Sequence, residues 1–536
     1  MAVEVIIAID IGSSSIRCSA YRELNIIASS FNTTSSVNTV SGMINIQSTG
    51  AKTLLDLVEE CLDETLEKLE YMDETVQVVS VGFACFVMNL IGTDKNGNII
   101  GSEATMSYAC GSDEVANEVD ALKRELGEEK ALELYKRTGA PLHSAYAIAQ
   151  LRAFYKSNSD SVSKVSQWKS ICSLLLDRWT ARDDTPISYS EASWCGLLNY
   201  GTCDYDDLAL DLLPDACTNA LPKLADFDEV PFLNEGISQR TSYWERWPLL
   251  RGSRLFLGLG DGACANIGSK CSVPNRIACT VGTSAAARVC LPCPIGLSES
   301  LNFEAGLFCY RIDRSHILLG GALNDGGNAV EWIRQLLNLQ TDESFDECLK
   351  AVSLLTESDC NKGSSIGTPT LIPFLSGERS TGFRTRATGA MIDLTHATTP
   401  AHMLKSVLEG VTLRLNAIVA RICQTSKSLH QSTASILVVS GKALEVNDIW
   451  RQMLANCSGI KVVFDKATQE GTSRGVAVLI TRAIQQSRDR DARLYLPGET
   501  ISNALIEEPV DALRGYWKHI SNRQEKLLYA ISDMYD

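Results

Sequence analysis

The chain has 536 residues, 45% of them hydrophobic, which is enough for about two to four domains with sizeable cores. Its net charge of −16 excludes a general nucleic-acid or anionic-membrane surface, because either needs a basic face. That balance still allows a small basic pocket for phosphates.

Residues 3–9 (VEVIIAI) form a β-branched run without the basic leader of a signal peptide, and predict a buried first strand. The run enters a tight turn, DIGSSS at 10–15, and residues 16–21 alternate like the return strand of a hairpin. Residues 51–70 predict an amphipathic helix whose acidic residues form a solvated face. Strand character returns over 76–92, a turn follows at 94–98, and residues 115–135 are helical again. The segment 199–250 is rich in Asp, Pro and Trp and has little periodicity.

Residues 277–289 (IACTVGTSAAARV) then repeat the opening arrangement of strand, hydroxyl-bearing glycine turn and strand. Beyond them lie a strand ending in GGALNDGG, a helix over AVEWIRQLL, a long helix at 400–425, and strand–helix pairs to about 485. Strands alternating with helices in both halves predict α/β layers. The repeat suggests two domains of like core, divided as 1–258 and 259–490, with 491–536 a polar, partly helical tail. No run reaches the ~18 uninterrupted apolar residues of a membrane helix, so no membrane partner is expected.

The 18 cysteines are scattered through apolar strand-like runs, which favours buried reduced thiols and a cytoplasmic setting. Cys290 and Cys293 make one CxxC, but no second ligand pair follows and no zinc site is expected. Trp179, Trp194 and Trp332 read as core aromatics, and the histidines show no metal-ligand spacing.

The two turns suit a polyphosphate. Glycine lets backbone N–H groups approach phosphate oxygens, and Ser or Thr hydroxyls add donors. Asp10, at a strand end, can hold Mg through water, since Mg takes one or two carboxylates and keeps several waters. Either turn alone is a weak signal; the pair, each after a β-branched strand, is stronger.

The ordered set DIGSSS, GDG, VGTS, GGALNDGG, FLSGER, LEG, SGKALEVNDIWRQMLAN and RGVA resembles the FGGY carbohydrate kinases. YKRTGAPLHS at 135–144, SYSEASWCGLLN at 188–199 and LSGERSTGF at 375–383 are similar to the gluconate-kinase branch. The likeness covers about residues 4–485. It implies an α/β fold of two actin-like, ribonuclease H-like ATPase domains with a cleft between them. It also implies ATP as phosphate donor, Mg, and a small sugar or polyol as acceptor; a homodimer is left open. By the resemblance, Asp10 serves the metal, while Gly12, Ser13, Ser14 and Ser15 face the β/γ-phosphates. Gly282, Thr283 and Ser284 form the second phosphate loop, and Gly320, Gly321, Gly441 and Asn447 flank ribose and adenine.

Asp261 follows the apolar run LFLGLG and precedes Gly262, matching the family's Gly-Asp element. Its implied role is general base: a carboxylate within hydrogen-bond reach orients the acceptor hydroxyl and takes its proton. Without the likeness, an Asp in that place reads as a helix N-cap.

The acceptor side departs from the branch. The position of a family His holds Met88, and in the loop after Tyr108 the family's Trp, Asp and Arg fall on Cys110, Ser112 or Asp113, and Glu114. Met88, Ser112, Asp113 and Asp261 are therefore the candidate substrate residues. An inward Glu114 would repel a carboxylated sugar, which disfavours gluconate and favours a neutral pentulose, a deoxy-sugar or another alcohol. A remodelled site using Arg137 or His143 is the alternative, as is a regulatory nucleotide-binding protein with altered or lost kinase activity. Lys442 reads as a surface charge or a phosphate contact, and Glu378 with Arg379 as a structural ion pair. An Hsp70-like or actin-like ATPase shares the hairpins but not the GDG, GER and SEASW segments.

Overall fold

The computed structural model describes residues 2–12, 15–33, 50–108, 112–157, 160–296, 302–362, 367–430, 434–466, 470–488, 499–501 and 503–532. Two sheets organise it. The first has five strands in the spatial order Arg254–Gly260, Val76–Cys85, Val3–Ile11, Ser15–Arg22 and Asn25–Thr33. The second has seven, in the order Phe308–Asp313, His316–Leu323, Ala285–Pro292, Arg276–Val281, Ile436–Ser440, Lys461–Asp465 and Ala504–Glu507.

Both sheets follow one plan. A leading strand is antiparallel to its hairpin partner on one side and parallel to a later strand on the other. The hairpins at 3–22 and 276–292 occupy equivalent places, so the sequence repeat is a repeat of architecture. The leading strands are buried on both faces, which is why they read as unbroken apolar runs.

Helix Ala51–Glu70 covers the first sheet with Leu54, Val58, Cys61, Leu62 and Leu69, all buried at helical spacing. One acidic residue leaves the expected solvated face. Glu59 is 4% exposed and accepts bonds from Trp179 Nε1 (3.2 Å) and Tyr243 Oη (2.7 Å).

The two halves are interlocked. The sequence division at 258/259 falls inside the strand Arg254–Gly260, which belongs wholly to the first sheet. Helix Gly471–Arg488 returns to that sheet and buries Val476, Ala477, Leu479 and Ile480 in its core. It lies so close to helix Asp261–Gly268 that a Cβ on Gly475 would sit 1.9 Å from Cys264 O. The chain beyond 499 docks as well: Ala504–Glu507 pairs with Lys461–Asp465, and helix Arg514–Ala530 buries Tyr516, Trp517 and Ile520 in the second core.

Every described cysteine is a free thiol, and among the described residues no helix is long and apolar enough to cross a membrane.

Candidate active site

Two carboxylates leave the same edge of the first sheet. Asp10 lies one residue before the end of its strand, and Asp261 directly follows Gly260; the strand Val76–Cys85 runs between them, with Asp10 opposite Ala84 and Gly260 opposite Cys85. Burial pushes Asp10 up to about 7, and the charge of Asp261 pushes in the same direction. Burial also raises Asp261, opposed by the guanidiniums of Arg288 and Arg379 and by the Gly262 N–H, which donates to Oδ1 at 2.6 Å. Asp261 thus begins a short helix with its carboxylate on its own first turn: it is both the N-terminal acid and a cleft group.

The second hairpin turn meets Asp261 at one cavity, which Ser284 and Asp261 both line. Gly12 N–H donates to Ser15 O at 2.9 Å, and Gly282 N–H to Ser284 O at 2.9 Å, so the second turn is one residue tighter. Ser13 and Ser14 lie outside the described residues. Gly282, Thr283 and Ser284 are exposed, and Ser284 lines the cavity beside Asp261. Two further glycine segments close on this second turn. Gly326 N–H donates to Thr283 O (3.0 Å) and Gly327 N–H to Gly282 O (2.7 Å). Gly441, at φ 102, sits where a Cβ would lie 2.1 Å from Val281 O. Only backbone without a side chain fits there.

Beside Asp261 is a cavity of ≈ 160 Å³. Its polar lining comes from Asp261, Ser284, Arg288, Arg379, Tyr146 and Tyr310, and its apolar wall includes Phe86, Met88, Tyr108, Trp194 and Phe308. Trp194 lies against Tyr310 with ring centroids 3.9 Å apart and turns its buried Nε1 toward the Asp261 turn without a hydrogen-bond partner among the described residues. A Cβ on Gly260 would meet that nitrogen at 2.6 Å, and one on Gly262 would touch the ring at 3.4 Å. Both glycines of the GDG segment therefore make room for the indole. Met88 holds φ 53, a left-handed conformation costly for a long side chain, at the cavity wall.

The structure brings Asp10, Asp261, Met88 and Ser284 together and leaves other expected residues elsewhere. Ser112 caps the helix Asp113–Thr138 by accepting from Val115 N at 3.3 Å; Asp113 and Glu114 are exposed, and none of the three lines the cavity. Residues 109–111, including Cys110, lie outside the described residues. Gly320 and Gly321 are buried in mid-strand, where Cβ atoms would meet Ala287 O at 2.5 Å and Ser380 Oγ at 2.8 Å, so close packing accounts for both. The Asn447 side chain caps the next helix by accepting from Trp450 N at 2.9 Å. Lys442 is exposed and pairs with Glu445. Arg137 is committed to Asp206 at 2.7 Å.

Among the described residues Glu378 pairs with Arg384 and Arg414 and not with Arg379, which lines the cavity. His143 accepts from Ala145 N and is pushed down to about 4 by burial and then by the charge of Arg379, so it is neutral at pH 7. Sequence reasoning passed over Gly326, Gly327, Arg288 and the cavity position of Trp194. The signal for the glycines was present, since a Gly-Gly pair opens an amphipathic helix there.

Comparison with known proteins adds the following. The N-terminal domain of the FGGY family of carbohydrate kinases matches residues 5–244, and the C-terminal domain of that family matches residues 277–484. A gluconokinase of Bacillus licheniformis is 23% identical, over 86% of this chain and 85% of its own length. Among solved structures, the gluconate kinase of Lactobacillus acidophilus aligns with a TM-score of 0.81 at 21% identity, covering 100% of this chain and 99% of that one. The xylulose kinase of the same organism, solved with a ligand, gives 0.80 at 21% identity over 99% of both chains.

Proposed function

The chain belongs to the FGGY family of carbohydrate kinases, and from that premise we propose that it moves the γ-phosphoryl group of Mg-ATP to a hydroxyl of a sugar, sugar acid or polyol, with Asp261 as general base. The observation that carries this reading is the shared wall of one small cavity: Asp261 on one side, Ser284 of the second phosphate turn on the other.

A sugar hydroxyl is a weak nucleophile, and phosphoryl transfer is mostly positioning and charge neutralisation. Asp261 accepts a hydrogen bond from the acceptor hydroxyl and takes its proton as the new O–P bond forms. Its raised proton affinity brings it toward the neutral range in which a general base works well. The N–H groups and hydroxyls of the turns at 12–15 and 282–284 would hold the phosphates, with Gly326, Gly327 and Gly441 fixing the shape of the second turn.

Asp10 fits a divalent cation. A half-buried carboxylate beside a second one holds a proton up to about 7, and a cation there would replace that proton. Mg takes one or two carboxylates and keeps several waters, and Asp10 would supply one such carboxylate. When bound, Mg supplies charge neutralisation at the transferring group.

The test is ATP consumption against a panel of sugars, sugar acids and polyols. Stimulation by one small hydroxylated compound supports the assignment; nucleotide binding without turnover across the panel contradicts it.

A further inference from the structure

We propose that Ser190 is a positioning residue for Asp261, and that the short helix carrying it keeps that carboxylate in register with the second half of the molecule. The inference rests on the kinase reading above and adds to it a residue that does not line the cavity. The helix Tyr189–Trp194 is built from the segment SYSEASW. Ser188 Oγ accepts from Glu191 N–H at 3.0 Å, and Glu191 Oε2 accepts from Ser188 N–H at 3.4 Å. This reciprocal cap fixes six residues that are too few to be helical unaided. The strand Arg254–Gly260 is an outer strand of the first sheet, so one side of its backbone has no strand partner. The helix serves that backbone. Ser188 Oγ donates to Gly258 O at 2.5 Å, and Ser190, 0% exposed, accepts from Gly260 N–H at 3.0 Å. Gly260 is the residue immediately before Asp261, and Trp194 closes over Gly260 and Gly262 on either side of the acid.

The same helix is fastened to the other half. Ser193, also 0% exposed, accepts from Arg311 N–H at 2.9 Å, and Trp194 rests on Tyr310. Tyr310 and Arg311 belong to Phe308–Asp313, an outer strand of the second sheet. One short helix therefore ties the last peptide before Asp261 to the sheet whose hairpin carries Ser284. A buried N–H left unpaired is costly, so the Gly260 peptide stays where the hydroxyl of Ser190 is. A general base works only within hydrogen-bond reach of the acceptor hydroxyl, and a misplacement of about 1 Å can cost about 10²-fold. Ser253 supplies the contrast: its hydroxyl is equally buried and donates to Val78 O at 2.6 Å, but at the opposite end of the same strand from Asp261.

The experiment measures steady-state kinetics with ATP and gluconate, xylulose or glycerol for the wild type, Ser190→Ala, Ser190→Thr, Ser193→Ala and Ser253→Ala, together with melting temperatures and amide exchange of the peptide 255–262. Ser190→Ala should lower kcat about tenfold or more while both KM values stay within about twofold, the split expected when only the placement of the base is lost. Ser190→Thr, which keeps the hydroxyl, should recover most of that kcat. Ser253→Ala should lose a similar amount of melting temperature and keep its kcat. Exchange over 255–262 should be faster in Ser190→Ala and Ser193→Ala than in Ser253→Ala. Ser193→Ala, which cuts the tie to the second half, should also lose kcat and stands in if Ser190→Ala does not fold. A wild-type kcat in Ser190→Ala, or an equal kcat loss in Ser253→Ala, would reduce Ser190 to a contact of the fold and overturn the proposal. If the wild type phosphorylates none of the three acceptors, the kinase reading fails by itself and exchange decides: acceleration over 255–262 in both helix variants upholds the link to the Asp261 turn, and no change removes it.

Discussion

Asp10 and Asp261 project from one sheet edge with a single strand between them, and the charge of Asp261 helps to keep Asp10 protonated up to about pH 7. The pair divides the work by environment. Asp261 has Arg288, Arg379 and the Gly262 N–H to favour its ionised form, whereas among the described residues Arg17 is the one cation that opposes burial at Asp10, the acid proposed to serve a metal ion.

Neutralising Asp261, the proposed base, should therefore leave the turns at 12–15 and 282–284 intact. Asp261→Asn keeps the shape of the side chain and its place at the helix start, so nucleotide affinity should stay near the wild-type value while turnover falls about 10²-fold or more. Steady-state kinetics with nucleotide titration checks both. Unchanged turnover would remove Asp261 from the chemistry.

Asp10 predicts a pH dependence with a definite sign. An ordinary carboxylate titrates at about 3.9 in the unfolded chain, while folded Asp10 holds its proton to about 7. Between those values the native state binds more protons than the unfolded one, so this residue lowers stability as pH rises from about 4 to about 7. Asp10→Asn removes that cost: its melting temperature should exceed the wild type's at pH 8 and match it near pH 4. A divalent cation competes with the same proton, so the Mg concentration for half-maximal activity should fall as pH rises from about 6 to about 8. A pH-independent difference in melting temperature would show that Asp10 does not carry the raised affinity.

The turn at 282–284, proposed to hold phosphates, is braced by a glycine that tolerates no side chain. Gly441 combines φ 102 with a Cβ position 2.1 Å from Val281 O. Gly441→Ala must shift the backbone at 281–282, at a strain of about 1–3 kcal/mol. The expected outcome is a KM for ATP raised about tenfold with the acceptor KM little changed. Equal effects on both would mean that 441 supports the whole domain and not the nucleotide side.

What could be read from the sequence was what local chemistry alone decides. The hairpins at 3–22 and 276–292 were legible because β-branched runs flank turns that only Gly and small hydroxyl residues suit. The strand-to-helix junction at Asp261 was legible from its motif. Ser112 and Asp113 were chosen by their place in the family pattern, although Ser112 followed three residues later by the buried Val115 is also an N-cap signal, and the helix used it that way. Arg288 was hidden because strand alternation gives it no signature within AAARV; only the second sheet's position shows which way it faces. Trp194 is core, as its residue type suggested, at 5% exposed, but the cavity it also walls exists only once both halves are assembled.

The C-terminal chain was the least legible part, and its attachment gives the last prediction. Its strand is four residues long, and its helix earns its place through contacts made far away in sequence. The fully buried Lys405 Nζ donates to Glu409 Oε1 (2.7 Å), Asp359 Oδ2 (3.1 Å) and Tyr516 Oη (2.6 Å), while Tyr516 Oη donates to Glu409 Oε1 at 2.6 Å. One phenol thus completes the shell of a buried cation and also bonds its counter-ion. Tyr516→Phe keeps the ring packed against Trp517 but withdraws both bonds, and should cost about 1.5–3 kcal/mol because the partners are charged. Urea unfolding should show a lower midpoint with an unchanged slope, and kcat and KM at 25 °C should stay near wild type, since no residue of this cluster lines the cavity. An unaltered midpoint would mean that the helix Arg514–Ala530 rests on the second domain without holding it together.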